Sequence, residues 1–382
     1  MGFALFGFAM LVFVTVCAWM QLNWGIPGLV LTELILAGIS IGFCLIRKVK
    51  ISEVLPIKKV TARDFFGCVL LLISTYMFSM ISIFAMGTLF PGSSAEATEL
   101  GSFLYDGGLG LIPLILIVAV LPAICEEILH RGAILSTFRS LDKEWIAIVL
   151  VGLFFSINHL SILRGPFTFL LGAVFAYVVI RKNNILLTMI MHCMLNSFSV
   201  CISYFTLKNS DMDFASVNVS VGLDTLGLYI AIMFLAPILF VTGKMLLVPE
   251  SHKKKHYAIA GIASAAMLIG GIVIMMLGAG KPIFSANGPL NMAGEGTMEF
   301  GTIEIQEEKD YTVAFVVTGS SGNFRVEVTD ENGEVACGGN MNTGAMQMYN
   351  STVKLPEGKY TITLINLDDT PVENAAYTLI MK

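Results

Sequence analysis

Charged side chains are scarce in this 382-residue chain: Asp, Glu, Lys and Arg together make up 13% of it. Soluble domains carry about a quarter, so an ordinary water-soluble globule is excluded. Cysteine is sparse and poorly placed for chemistry. Cys17, Cys44, Cys68, Cys125, Cys193 and Cys201 fall in apolar stretches, Cys337 stands apart from them, and there is no Cys-x-x-Cys pair or zinc-ribbon spacing; a disulfide framework is disfavoured. No His-Glu-x-x-His pair occurs, which removes any zincin analogy. The first apolar run has no basic segment before it and no small-x-small cleavage site after it, so it reads as a retained span rather than a signal peptide. The chain also lacks internal repeats, which weighs against a transporter built from repeated halves.

What is present is apolar surface. Hydrophobic residues make up 55% of the chain and the mean hydropathy is +0.79. A membrane helix needs about 20 mostly apolar residues. Nine candidate spans answer to that, near residues 3–22, 26–46, 65–90, 109–138, 144–161, 165–181, 184–207, 223–248 and 257–280. The fold class is therefore an α-helical multi-pass membrane bundle over residues 1–281. Arg47, Lys48, Lys50, Lys58, Lys59 and Arg63 follow the second span, Arg139 and Lys143 the fourth, Arg181 and Lys182 the sixth, and Lys253, Lys254 and Lys255 the eighth. All fall on one side, while an alternate loop carries the acidic stretch from Glu96 to Asp106. The positive-inside rule then places the N-terminus in the cytoplasm of a bacterial cell membrane and the C-terminus outside.

Beyond residue 282 the pattern changes to period-two alternation, as in Tyr311–Val317, Asn323–Val328 and Tyr360–Ile365. Turn signals separate these runs at Gly319-Ser320-Ser321-Gly322, Glu331-Asn332-Gly333 and Pro356-Glu357-Gly358. Residues 282–382 thus read as a small all-β sandwich outside the cell. They hold 14 acidic and 5 basic residues, a net of −9 against −5 for the chain, which leaves +4 for the membrane portion. That acidity argues against nucleic acid and anionic lipid as direct partners of the tail. A protein partner of this exterior domain remains open.

Three ionisable clusters interrupt the apolar spans: Glu126-Glu127-Ile128-Leu129-His130-Arg131, Phe155-Ser156-Ile157-Asn158-His159 and His192-Cys193-Met194-Leu195-Asn196. A charge at the centre of an inserted helix costs roughly 2.5–3.5 kcal/mol, so these groups need one another or a water-filled cavity. Helix neighbours at i and i+4 let Glu127 reach Arg131, whereas Glu126 faces elsewhere and is the candidate general base. His159, deep in the fifth span, is placed to orient the attacking water. His192 and Asn196 share a helix face, and their N–H groups suit a developing oxyanion. The constellation fits peptide hydrolysis. Taken singly, each polar residue reads more simply as a hydrogen bond between helices. Cys125 and Cys193 read as packing residues, His130 as structural, and Glu33 of the second span as a cavity liner or a partner for another helix.

The ordered set Glu-Glu-x-x-x-Arg, Phe-x-x-x-His and His-x-x-x-Asn resembles the CPBP family, the CAAX-protease and bacteriocin-processing group of intramembrane endopeptidases. The resemblance covers residues 65–210. It implies that Glu126 and His159 activate water, that His192 and Asn196 stabilise the oxyanion, and that Glu127 with Arg131 supports the site. The implied substrate is a membrane-embedded or membrane-anchored peptide or protein in the lipid bilayer. Trimming of prenylated C-termini belongs to eukaryotic members, and bacteria without that pathway also carry the family, so the substrate stays open. No cofactor is favoured; were zinc bound, Glu126, His159 and His192 would be its ligands. The competing reading is a catalytically silent scaffold or sensor that binds a partner through the exterior domain.

Overall fold

The computed structural model describes residues 1–89, 108–209, 222–249, 253–278, 283–292, 294–319, 322–341, 346–369 and 371–382. The stretch from Glu96 to Asp106 and the expected boundary at 281/282 lie outside the described residues. Two compact units result, Met1–Gly278 and Ala279–Lys382.

The first unit is helical. Its spans are α1 Gly2–Trp24, α2 Ile26–Arg47, α3 Ala62–Gly87, α4 Leu111–Ile134, α5 Glu144–Asn158, α6 Gly165–Lys182, α7 Ile185–Phe205, α8 Leu223–Leu247 and α9 Lys254–Gly278. Eight of these are long and apolar enough to cross a membrane; α5, with 15 residues, is the shorter apolar helix. At 1.5 Å per residue α5 reaches about 22 Å, against a hydrocarbon core of about 30 Å. Here the structure corrects the sequence reading, which carried the span to residue 161 with His159 deep inside. Leu160 adopts a left-handed φ of 48°, a conformation that cannot continue a right-handed helix. The helix therefore closes at Asn158, and His159 is its C-terminal cap.

Contacts at the helix ends gather the basic loops. Lys182 pairs with Asp64 at 2.6 Å and donates to the Leu247 carbonyl. Arg63 donates to the Met245 carbonyl, and Arg181 pairs with Glu144 at 2.9 Å. Asn184 exchanges two hydrogen bonds with the Lys58 backbone. The loops following α2, α4, α6 and α8 thus share one end of the bundle.

Small residues set the closest helix crossings, as expected where lipid supplies no hydrophobic drive for association. A Cβ on Gly172 of α6 would lie 2.9 Å from the Gly152 Cα of α5, and one on Gly243 of α8 would lie 2.8 Å from the Gly67 carbonyl of α3. Helix α4 packs against α2, α5, α6 and α7. Its winding widens to i→i+5 bonds over Ile115–Val120 and again over Ile128–Ile134. The Glu126-Glu127 pair lies between these two wide turns, a distortion common at functional sites. Two apolar clusters flank the pair. One joins Leu36, Leu129, Ile134, Val151, Phe154 and Val179; the other joins Leu71, Leu171, Phe175, Leu187, Met191 and Leu195.

The second unit is all-β, with β1 Phe284–Met292, β2 Gly296–Ile305, β3 Lys309–Thr318, β4 Phe324–Asp330, β5 Val335–Asn340, β6 Met346–Leu355, β7 Gly358–Asn366 and β8 Val372–Met381. They form two antiparallel four-stranded sheets in the orders β1-β8-β3-β6 and β2-β7-β4-β5. Alternate residues point inward, as period two requires. Tyr311, Val313, Phe315 and Val317 from one sheet meet Val326, Val328, Ile362 and Leu364 from the other in a shared core. The β4–β5 turn is held by Asp330, whose carboxylate accepts the backbone N–H groups of Asn332 and Glu334. Those bonds, the one from Glu334 foremost, hold its carboxyl below the usual carboxylate range.

Candidate active site

Arg131 and Glu127 form the fully buried centre of the membrane unit. The guanidinium donates to Glu127 Oε1 at 2.7 Å, and neither side chain has any exposure. A second guanidinium nitrogen donates to the Gly172 carbonyl at 3.3 Å. The cation also lies 4.3 Å from the Phe155 ring centroid and 5.2 Å from that of Phe175. In low dielectric such a charge persists only with partners of this kind.

Glu127 has a second partner that sequence spacing did not indicate. Its Oε1 also accepts from His192 Nδ1 at 3.1 Å, across from α7. With Nδ1 as the donor, the other ring nitrogen is turned toward Glu126, and His192 Nε2 lies 4.0 Å from Glu126 Oε2. That separation suits one water molecule bonded to both. Glu126 keeps 14% side-chain exposure where Glu127 has none, although its Oε2 is itself buried. Among the described residues Glu126 Oε2 has no hydrogen-bond partner.

The remaining candidates are arranged around Phe155. Its ring contacts His159 at 4.8 Å, His130 at 5.2 Å and His192 at 5.9 Å between centroids. His159 Nδ1 meets the Phe155 carbonyl at 2.8 Å, which leaves Nε2 for a water or substrate. Asn196, one turn after His192 on α7, donates to the Val118 carbonyl of α4 at 3.2 Å. His130 Nδ1 meets the Glu126 carbonyl at 3.0 Å and its ring is buried, a contact within the helix that matches a structural role. All six residues named from sequence therefore lie around the α4–α5–α7 contact. The ring of Phe155 and the carbonyls of Gly172 and Val118 join them. Phe155 was visible only as a motif letter, and backbone carbonyls leave no sequence signal.

Among the described residues, no group of three His, Cys, Asp or Glu side chains is placed to hold a metal ion. Glu126, His159 and His192 are neighbours without forming such a ligand set, so no step below is routed through a metal.

Residues 108–198 match the family described as type II CAAX prenyl endopeptidase Rce1-like. The similarity to that family is carried by this segment of the chain. It spans just under a quarter of the 382 residues and contains all three motifs. The matched segment comprises α4 to most of α7, while α1 to α3, α8, α9 and the β unit lie outside it. No curated protein matches the chain.

Proposed function

We propose that the chain hydrolyses a peptide bond in a membrane-embedded or membrane-anchored substrate, with Glu126 as general base. The observation that carries this reading is the His192 bridge: one nitrogen is fixed on Glu127 at 3.1 Å and the other faces Glu126 at 4.0 Å. A water between Glu126 and His192 gives a proton to Glu126 and attacks the scissile carbonyl. His159, with Nδ1 tied to the Phe155 carbonyl, orients that water through Nε2. The tetrahedral oxyanion accepts hydrogen bonds from the Asn196 amide and from His192 Nε2–H, the ring carrying a proton on both nitrogens from the outset, so that no proton need be supplied to it during the step. Glu127 balances the imidazolium as carboxylate partners of histidine do. Collapse of the intermediate transfers the proton on Glu126 to the departing amine, which restores the carboxylate. Glu127 and Arg131 hold the site in place.

The basic loops gathered at one end support a cytoplasmic N-terminus, and passage of the ninth span then places the β unit outside the cell. The test is comparative proteomics of membrane fractions from cells carrying wild type or Glu126→Gln. New protein termini in wild type alone are expected, and purified Glu126→Gln and His192→Ala should stay folded while losing cleavage. Retention of turnover by both variants would refute the mechanism. Partner capture that survives both, with no turnover in wild type, would favour the scaffold.

A further inference from the structure

The first two helices lie outside the matched segment and leave a groove between them. Leu5 and Phe8 of α1 and Ile39, Phe43 and Ile46 of α2 line a cleft of about 420 Å³, with Arg47 at its basic end. Gly42 lies on the α2 wall, and a Cβ built there would meet nothing within 4 Å. Glycine weakens a helix interior. At Gly28 of the same helix it admits the Met20 carbonyl where a Cβ would stand; at Gly42 it admits no protein atom, and what it leaves is room for a chain.

At its basic end the groove runs into a second hollow of about 290 Å³, and Phe43 and Arg47 line both. The other walls include Glu53, from the loop after α2, and Ser136, Thr137 and Arg139, which follow α4. Arg139 donates to the Glu53 carbonyl at 3.4 Å, while the Glu53 carboxylate lies 3.8 Å from Lys50. Among the described residues, neither Arg47 nor Arg139 has a carboxylate partner. Ser136 and Thr137 donate to the Ala133 and Ile134 carbonyls, so their oxygens are left to accept. Two guanidinium groups without counter-charge, with acceptor hydroxyls beside them, therefore stand at the mouth of an apolar channel.

We propose that this composite cavity binds one anionic phospholipid, its phosphate on Arg47 and Arg139 and an acyl chain in the α1–α2 groove. Charge selects the occupant. Guanidinium pairs with phosphate through two parallel hydrogen bonds, and basic pockets between membrane helices take anionic headgroups. A zwitterionic lipid would bring an ammonium group beside the arginines, and free phosphate would leave the groove empty. The bound lipid bridges α2 to the end of α4, the helix that carries Glu126 and Glu127.

The test exchanges the full-length protein in detergent against an equimolar mixture of phosphatidylglycerol and phosphatidylcholine, and native mass spectrometry reads the lipid retained per chain. Wild type is expected to hold one phosphatidylglycerol with at least tenfold preference. Arg47→Gln and Arg139→Gln should each weaken that binding about fivefold, the factor that about 1 kcal/mol per basic side chain supplies, and the double variant should lose the preference. Changing the exposed Lys58 and Lys59 to Gln removes the same charge at the same end of the bundle and should leave the preference intact. Gly42→Leu fills the groove and should lower retention of both lipids at least fivefold, with the thermal midpoint of the delipidated protein level or raised. Equal retention of the two lipids by wild type, or an undiminished preference in the arginine double variant, would overturn the proposal. So would an equal fall in the lysine variant, full retention by Gly42→Leu, or stabilisation by inorganic phosphate alone that matches that by phosphatidylglycerol.

Discussion

Removing one member of the Glu127–Arg131 pair should destabilise the membrane unit far more than removing both. In Arg131→Met, Glu127 keeps the His192 contact at 3.1 Å but loses the guanidinium bonded to it at 2.7 Å. In Glu127→Gln, Arg131 retains the Gly172 carbonyl and two aromatic faces but loses its hydrogen-bonded counter-charge. Breaking a buried ion pair from one side costs about 3–5 kcal/mol. At roughly 2–4 °C per kcal/mol for a domain of this order of size, each single variant should melt about 6–20 °C lower. The double variant removes both charges, and the buried site then closes on neutral groups. Its loss should fall well short of the sum, leaving a coupling energy above about 1.5 kcal/mol in the double-mutant cycle. The assay is thermal unfolding of the purified protein in one detergent, followed by intrinsic fluorescence, with cleavage recorded in parallel. Equal midpoints for wild type and all three variants, or strict additivity of the two single losses, would refute the pair as the anchor of the site.

Other perturbations test the surroundings. Gly172→Ala drives a Cβ to 2.9 Å from the Gly152 Cα and 3.0 Å from the Phe155 Cβ; overpacking of this kind costs about 1–3 kcal/mol. It should depress both stability and turnover, and an unchanged melt would mean that α5 and α6 separate freely. Stripping with a membrane-permeant chelator should leave cleavage within twofold; loss restored by added Zn²⁺, with about one zinc per chain by elemental analysis, would refute the metal-free mechanism. Deleting residues 284–382 should spare hydrolysis of a short membrane-embedded peptide and weaken processing of a natural substrate with an exterior domain, through loss of effective concentration. Failure of protease on intact cells to reach the tail, or inactivity of the inserted truncation on both substrates, would refute that reading.

Sequence alone determined the properties that depend on short-range pattern. Apolar runs of span length announced the helices, because desolvating the backbone in lipid leaves helix as the available answer. Period-two alternation around Phe315 and Ile362 announced strands for an equally local reason. The spacing of Glu127 and Arg131 made their contact legible, since residues four apart share a helix face. The same logic failed at His159. Its apolar flanks resemble a continuing span, and only the turn at Leu160, with φ of 48°, places the imidazole at the helix end. Tertiary structure alone decided that Glu127 serves Arg131 and His192 together. It also decided that Phe155 is the surface shared by three histidines and a guanidinium, and that Glu33 of α2 adjoins α4. Apart from the contacts four residues apart, Glu127 with Arg131 and Phe155 with His159, those relations join residues 24 to 93 positions apart in sequence. They are set by which small residues let two helices approach and by which charges cannot stay buried alone, and neither condition is written in the residues on a single helix.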